Sequence, residues 1–372
     1  MRGVLVWLTL MLASCSPPNE PERDGDPELG IRFLAEGASD GFARATQPRE
    51  LIFPRDHASH PEFRTEWWYF TGNLHDAEQR HYGFELTFFR IALAAQDVAR
   101  QSAWGTNQIW MAHFAVTDTA GARFFAYERF ARGALGLAGA TAEPFRVWTE
   151  HWSVGGEAHG DDARLTLRAR EENVALELEL TALKPPVLHG DRGIDAKGPE
   201  PGNASYYYSM PRLDARGQLA IGNRRMEVAG LAWMDREWST SALSTGVVGW
   251  DWFALQLSDG RDLMFYRLRL ADGTASPFSG GSLVEPDGQR QALSVDDVQL
   301  NPRRIWRSPA SGVGYPVEWR LTVASEGLDL AITPRLDGQE LDLAVRYWEG
   351  AVEAVDRESD ITAQGYLELA GY

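Results

Sequence analysis

Two hairpins far apart in this chain carry the same pattern. Thr65 to Asp76 reads TEWWYFTGNLHD, and a later stretch reads GWDWFALQLSDG. Setting Trp67 on Trp250 brings Phe70 onto Phe253, Leu74 onto Leu257 and Asp76 onto Asp259 at one constant offset. In each copy an aromatic strand runs into a polar turn, and a second strand returns to an arginine, Arg90 or Arg267. So long a period points to two related domains in tandem, not to a solenoid. We read the hairpin as the opening of each of two antiparallel β-barrels.

Side chains on a strand alternate between its faces, so Glu66, Trp68 and Phe70 share one side and Trp67, Tyr69 and Thr71 the other. Both sides are largely apolar. A sheet with one wet face would not look like this, whereas a barrel wall pressed against a neighbouring barrel would. Further short strands, separated by Gly, Asp and Pro turns, continue at meander spacing and predict an all-β protein of two tandem lipocalin-like antiparallel β-barrels. The expected domains are a signal peptide over 1–14, a lipidated tether and N-terminal segment over 15–50, a first barrel over 51–244 and a second over 245–372. Lys184 to Asn203, dense in Gly, Pro and charge, is the longest irregular stretch expected inside the body and a candidate lid at a barrel mouth.

Fourteen Trp, 16 Phe and 11 Tyr supply aromatic walls suited to a large hydrophobic small molecule, although twisted strands favour such residues in any case. A formal net charge of -17 repels phosphate backbones and argues against nucleic-acid binding. At the N-terminus, Arg2 precedes an apolar run from Val4 to Leu12 that is too short to span a bilayer, the form of a secretory signal. It ends in Leu12-Ala13-Ser14-Cys15, which resembles a bacterial lipobox, and Cys15 is the only cysteine. Its thiol is the expected lipidation site, which would attach the chain to the membrane through a lipid anchor. Ser16 at the following position predicts an outer-membrane lipoprotein of the cell envelope, facing the periplasm.

The blocks HPEFRTEWWYFTGNL, YGFELTFFR, MAHFAVTD, KPPVLHGDRG, NASYYYSMPRL, GLAWMDREWS and GWDWFALQL resemble those of the AttH / carotenoid 1,2-hydratase (hydroxyneurosporene synthase) family, over nearly all of the chain after Leu51. The resemblance implies two lipocalin-like barrels, a hydrophobic ligand and, in some members, chemistry on that ligand. In the hydratases the site resembles an aromatic-x-Asp element preceded by a His-x-Trp element. The first falls on Trp233-x-Asp235 and the second on Tyr206-x-Tyr208, so the carboxylate is kept while its partners differ. Fungal lipocalin-like cyclisation catalysts resemble the same two-barrel design, so the scaffold can host chemistry.

The residues themselves point to the same block. On a strand, Trp233, Asp235 and Glu237 share a face, and Met234, Arg236 and Trp238 take the other. A carboxyl group in an aromatic pocket is raised in pKa by desolvation and can donate a proton near neutrality. Protonating an alkene and letting water capture the cation needs such an acid, nearby aromatic faces, and no metal or cofactor. The alternative reading has Asp235, Arg236 and Glu237 in a buried ion-pair network with Arg90 or Arg267. Candidate catalytic residues are therefore Asp235, Tyr206, Tyr208 and Trp233, with Glu66, Trp68, His113 and Glu237 as candidate ligand-binding residues. Glu66, with Asp251 near it in the repeat, reads more readily as architecture, and His113 as a core histidine. His57, His60 and Asp56 only faintly suggest a metal site. Two functions stay open at this level: a binding module that hands a hydrophobic molecule to or from a membrane transport complex, and a hydro-lyase acting on isoprenoid double bonds.

Overall fold

The computed structural model describes residues 40–96, 101–240, 243–244 and 246–372. The leader, Cys15 and the tether up to residue 39 lie outside the described residues. The protein is all-β, two curled antiparallel sheets that form a barrel and a half-barrel of lipocalin-like form.

The first sheet contains β1 (Thr65–Asp76), β2 (His81–Ala92), β3 (Gln108–Asp118), β4 (Arg123–Arg132), β5 (Ala138–Ala142), β6 (Phe145–Thr149), β7 (Trp152–Glu157), β8 (Arg164–Glu171), β9 (Val174–Ala182), β10 (Val187–Leu188), β11 (Ile194–Ala196), β12 (Ala204–Ile221) and β13 (Arg224–Ser239). The second contains β14 (Val247–Leu257), β15 (Asp262–Leu270), β16 (Gly280–Val284), β17 (Arg290–Ser294), β18 (Gln299–Arg307), β19 (Gly314–Val323), β20 (Leu328–Pro334), β21 (Glu340–Asp342), β22 (Arg346–Asp356) and β23 (Thr362–Ala370). The repeat is visible in the ladder: β1 lies between β2 and the last strand of its sheet, β13, and β14 lies between β15 and the last strand of its own, β23.

The path of the first sheet runs β4-β3-β2-β1-β13-β12-β9-β8-β7-β6-β5, so β4 and β5 are its edges. Arg129 of β4 crosses the seam. It donates to Glu150 and, from Nε at 3.0 Å, to Glu171, while its guanidinium lies 4.9 Å from the Trp152 ring centroid. Side chains fill the interior of this barrel, with Trp68, Phe70, Phe88, Trp110, Phe114, Tyr208 and Trp238 in one buried cluster. The second sheet closes around Phe253, Trp319 and Trp348.

A third apolar cluster joins the two sheets. Tyr69, Tyr207 and Trp233 from the first pack with Trp252, Tyr266 and Tyr366 from the second. This is why β1 is buried on both faces: its even positions fill the barrel and its odd positions meet the other sheet. The sheets approach closely at Gly83, where a Cβ would lie 2.7 Å from Ala351 Cβ and 2.8 Å from the Tyr366 hydroxyl oxygen.

Two stretches stand apart from the regular ladder. Pro211 interrupts the alternation expected of a long strand, yet β12 runs through it, absorbing the irregularity as a register shift between Met210 and Leu213. Lys184 to Asn203 contains two short strands, β10 and β11, hydrogen-bonded to β12. This stretch bridges the sheets: Lys184 pairs with Asp262 at 2.7 Å, and His189 joins Ser209 at 2.6 Å to Ser282 at 3.0 Å.

Candidate active site between the barrels

The outward faces of β1, β2, β3, β12 and β13 meet those of β14, β15, β22 and β23 around a cavity of ≈ 140 Å³. Register sets which side chains reach it. Ser209, Asp235, Tyr69, Thr87 and His113 are direct cross-strand neighbours on five adjacent strands, forming one polar row. Opposite them, Tyr266, Trp252, Glu368 and Glu349 form a second row. Trp67 and Trp250, equivalent in the repeat, both line the gap.

Asp235 is buried and engages no arginine among the described residues. Its Oδ2 accepts from the Tyr207 hydroxyl at 2.6 Å, and its Oδ1 accepts from Trp233 Nε1 at 2.6 Å and from Ser209. Trp252 Nε1 donates to the Tyr207 oxygen at 3.3 Å, tying the second sheet to the carboxyl. Desolvation pushes the Asp235 pKa up to about 6, against the pull of its three hydrogen bonds. Glu237 is raised to about 7, again by desolvation, which the Lys197 ammonium 3.8 Å away only partly offsets. Burial alone would discharge Lys197, but Asp195 at 2.5 Å and Glu237 keep it protonated. It lies 3.9 Å from the Tyr266 ring centroid. Glu349 and Glu368, neighbours across β22 and β23, are raised by desolvation, Glu349 further by the nearby Glu85 and Glu368 carboxyls. Burial holds His113 neutral, with its pKa down at about 3, and its Nδ1 lies 2.7 Å from the Tyr347 hydroxyl oxygen.

Strand parity thus brings Asp235, Glu237 and His113 together at the cavity, with Trp233 packed behind Asp235 in the apolar contact between the sheets. It places Tyr206, Tyr208, Glu66 and Trp68 elsewhere, facing the interior of the first barrel. Tyr206 donates to Gln47 O at 2.8 Å, Tyr208 meets His57 Nδ1 at 2.5 Å, and Trp68 Nε1 donates to His57 O at 2.6 Å. Glu66 sits between the guanidinium groups of Arg90 and Arg236 and accepts from His60 N at 3.0 Å. Those charges outweigh its desolvation and hold its pKa well below the usual carboxylate range. The ion-pair network therefore engages Arg236 and Arg90 with Glu66, on the face opposite Asp235. Asp56 is likewise occupied, by Arg49 at 2.6 Å and His60 at 3.0 Å. Asp251, the acid near the start of the second hairpin, pairs with its cross-strand neighbour Arg267 at 2.7 Å.

The sequence reading passed over Tyr207, Lys197, Glu349 and Glu368. Tyr207 lies between the two tyrosines it chose, and only the pairing of Tyr207 with Glu237 and Ser209 with Asp235 reveals the parity. Glu349 and Glu368 did leave a signal, an acid alternating with aromatic and aliphatic residues in RYWEGAV and GYLELAGY.

Fold and cavity together define a class: a tandem lipocalin-like protein with an acid-lined aromatic cleft between its two sheets. The chain belongs to the AttH-like family, whose model matches residues 44–372. A crystal structure of a putative AttH from Nitrosomonas europaea is 34% identical with a TM-score of 0.79, covering 89% of this chain and 100% of that one. The crystal structure of kievitone hydratase from Nectria haematococca shares the fold, with a TM-score of 0.63 at 14% identity, covering 89% of this chain and 98% of that one. Kievitone hydratase of Fusarium solani subsp. phaseoli is 23% identical over 182 residues, 46% of this chain and 49% of that enzyme, so the match spans about half of the relative's length.

Proposed function

We propose that this protein is a hydratase-type enzyme that adds water to an isoprenoid double bond, or forms such a bond by removing water from the corresponding alcohol, in the cleft between its barrels. The observation that carries the reading is Asp235: a buried carboxyl among Tyr207, Trp233 and Trp252, with no guanidinium of the described residues to fix its charge. The Asp235 carboxyl gives its proton to one alkene carbon, leaving a cation on the other. The face of Trp252, which lines the cleft, stabilises that cation. A water oxygen then bonds to it, and the surplus proton passes to the Asp235 carboxylate, restoring the acid. Similarity to the kievitone hydratases supports the reaction class.

A carrier that hands its guest to a membrane transport complex would use the same cleft. It would have no need of four buried acids lining the cleft, each costly to keep out of water. The lipobox at Cys15 supports an envelope location as part of this proposal, and fractionation of cells expressing wild-type or Cys15→Ser protein checks it. Release of the variant from the membrane is the expected result.

The deciding experiment incubates wild-type and Asp235→Asn protein with acyclic isoprenoid alkenes in isotopically heavy water. Labelled alcohol is expected from the wild type only, at a rate that falls as pH rises through about 6, where the acid loses its proton. Equal behaviour of the two proteins, or no turnover by either, overturns the reading.

A further inference from the structure

The two ends of the cleft are satisfied very differently. At the Asp235 end both carboxylate oxygens are hydrogen-bonded within the protein. Two strands along the same row, around Thr87, they are not. Tyr69 Oη, Thr87 Oγ1, His113 Nε2, Glu349 Oε1 and both oxygens of Glu85 are buried and make no hydrogen bond of good geometry among the described residues, although Tyr69 lies within reach of Glu349 and Thr87 within reach of Glu85. Tyr69, Thr87 and His113 are direct neighbours across β1, β2 and β3, and Glu85 precedes Thr87 by two on the same face of β2. Glu349 faces them from β22 across the cavity. Leaving one such group unpaired costs about 1–3 kcal/mol, so groups this loosely paired gain from a partner brought in from outside the chain.

Their chemistry restricts what that partner is. Thr87 and Tyr69 each donate and accept, and a protonated carboxyl does both. Neutral His113 offers either a donor or an acceptor at Nε2, depending on what Nδ1 does with the Tyr347 hydroxyl. An ether or a carbonyl can only accept and would leave acceptors unpaired. A hydroxyl both donates and accepts and suits either tautomer.

We propose that this end of the cleft is a subsite for a hydroxyl group carried by the substrate, so that the substrate is an alkenol and not a hydrocarbon. The proposal rests on the cleft being the reaction site. It adds a ruler: Asp235 and Thr87 are two strand spacings apart, about 10 Å, so hydroxyl and reacting double bond sit near opposite ends of an extended chain.

The test measures binding, not turnover, so it stands apart from the hydration reading. Full-length Asp235→Asn protein is titrated with geraniol, with the hydrocarbon of the same skeleton and with geranylamine, following quenching of tryptophan fluorescence. Trp67, Trp250 and Trp252 line the site and report occupancy. Geraniol is expected to bind at least about ten-fold more tightly than the hydrocarbon, the difference a single net hydrogen bond makes. In the near-isosteric variants Thr87→Val and Glu85→Gln that preference is expected to shrink to about three-fold or less, with hydrocarbon affinity unchanged. Far-UV circular dichroism of both variants identifies any that misfolds, and the other then decides. Equal affinities in the parent protein, no saturable binding of either, or equal losses of both ligands in the variants would leave only water in the subsite and overturn the proposal. Tighter binding of geranylamine than of geraniol overturns it too, in favour of a cationic guest.

Discussion

Glu66 and Asp235 are cousins with opposite fates. Both are acids among aromatics on neighbouring strands, but one residue of parity sends Glu66 into the barrel beside two arginines and Asp235 into the cleft beside none. Glu66→Gln strands the Arg90 and Arg236 charges in an apolar interior. Loss of about 3–5 kcal/mol of stability is expected, readable by urea unfolding. The common face of Trp233, Asp235 and Glu237 was legible in the sequence because strand alternation is strict. What stayed hidden was the parity of Tyr206, Tyr207 and Tyr208. Three tyrosines in a row look alike from either side, and only the ladder to β13 selects the middle one.

At the scale of elements, the repeated hairpin carried most of the fold. Aromatics on both faces of Thr65 to Leu74 announced a wall between two packed layers, which is where β1 lies. The location of the cavity was not announced. A run that fills a barrel and a run that lines a gap have the same composition, so nothing in the sequence separated an interior pocket from one between sheets. Strand β18 is an exposed edge with no apolar alternation to betray it in the sequence. The close approach at Gly83 makes a direct test of how β2 docks on β22. In Gly83→Ala the added methyl meets Ala351 and the Tyr366 hydroxyl, and a cost of about 1–3 kcal/mol is expected in denaturant unfolding. Altered near-ultraviolet dichroism from the cleft tryptophans would accompany it.

For the whole molecule, the cleft sets an unusual dependence on pH. Carboxyls whose folded-state pKa is raised keep a proton that the unfolded chain has already lost, so their effect on stability worsens as pH climbs. Asp235, raised from 3.8 to about 6, and Glu237, raised from 4.5 to about 7, place that loss between about pH 4 and pH 7. Glu349 and Glu368 act in the same direction. Glu66 and Asp56 have lowered values, so the stability they contribute disappears only in more acidic solution. The thermal midpoint is therefore expected to peak in mild acid and to fall toward neutrality. Glu349→Gln should flatten that fall, and an unchanged slope in calorimetry would count against a strained carboxyl at this position.

Trp67 and Trp250, equivalent positions of one repeat, face the same gap from different halves. Whatever settles between them touches both, and capture is thereby linked to how firmly the halves adhere. Substitutions remote from the guest, at the Asn73 to Gly365 or Gln256 to Ala232 bridges, would loosen its grip by loosening the vice.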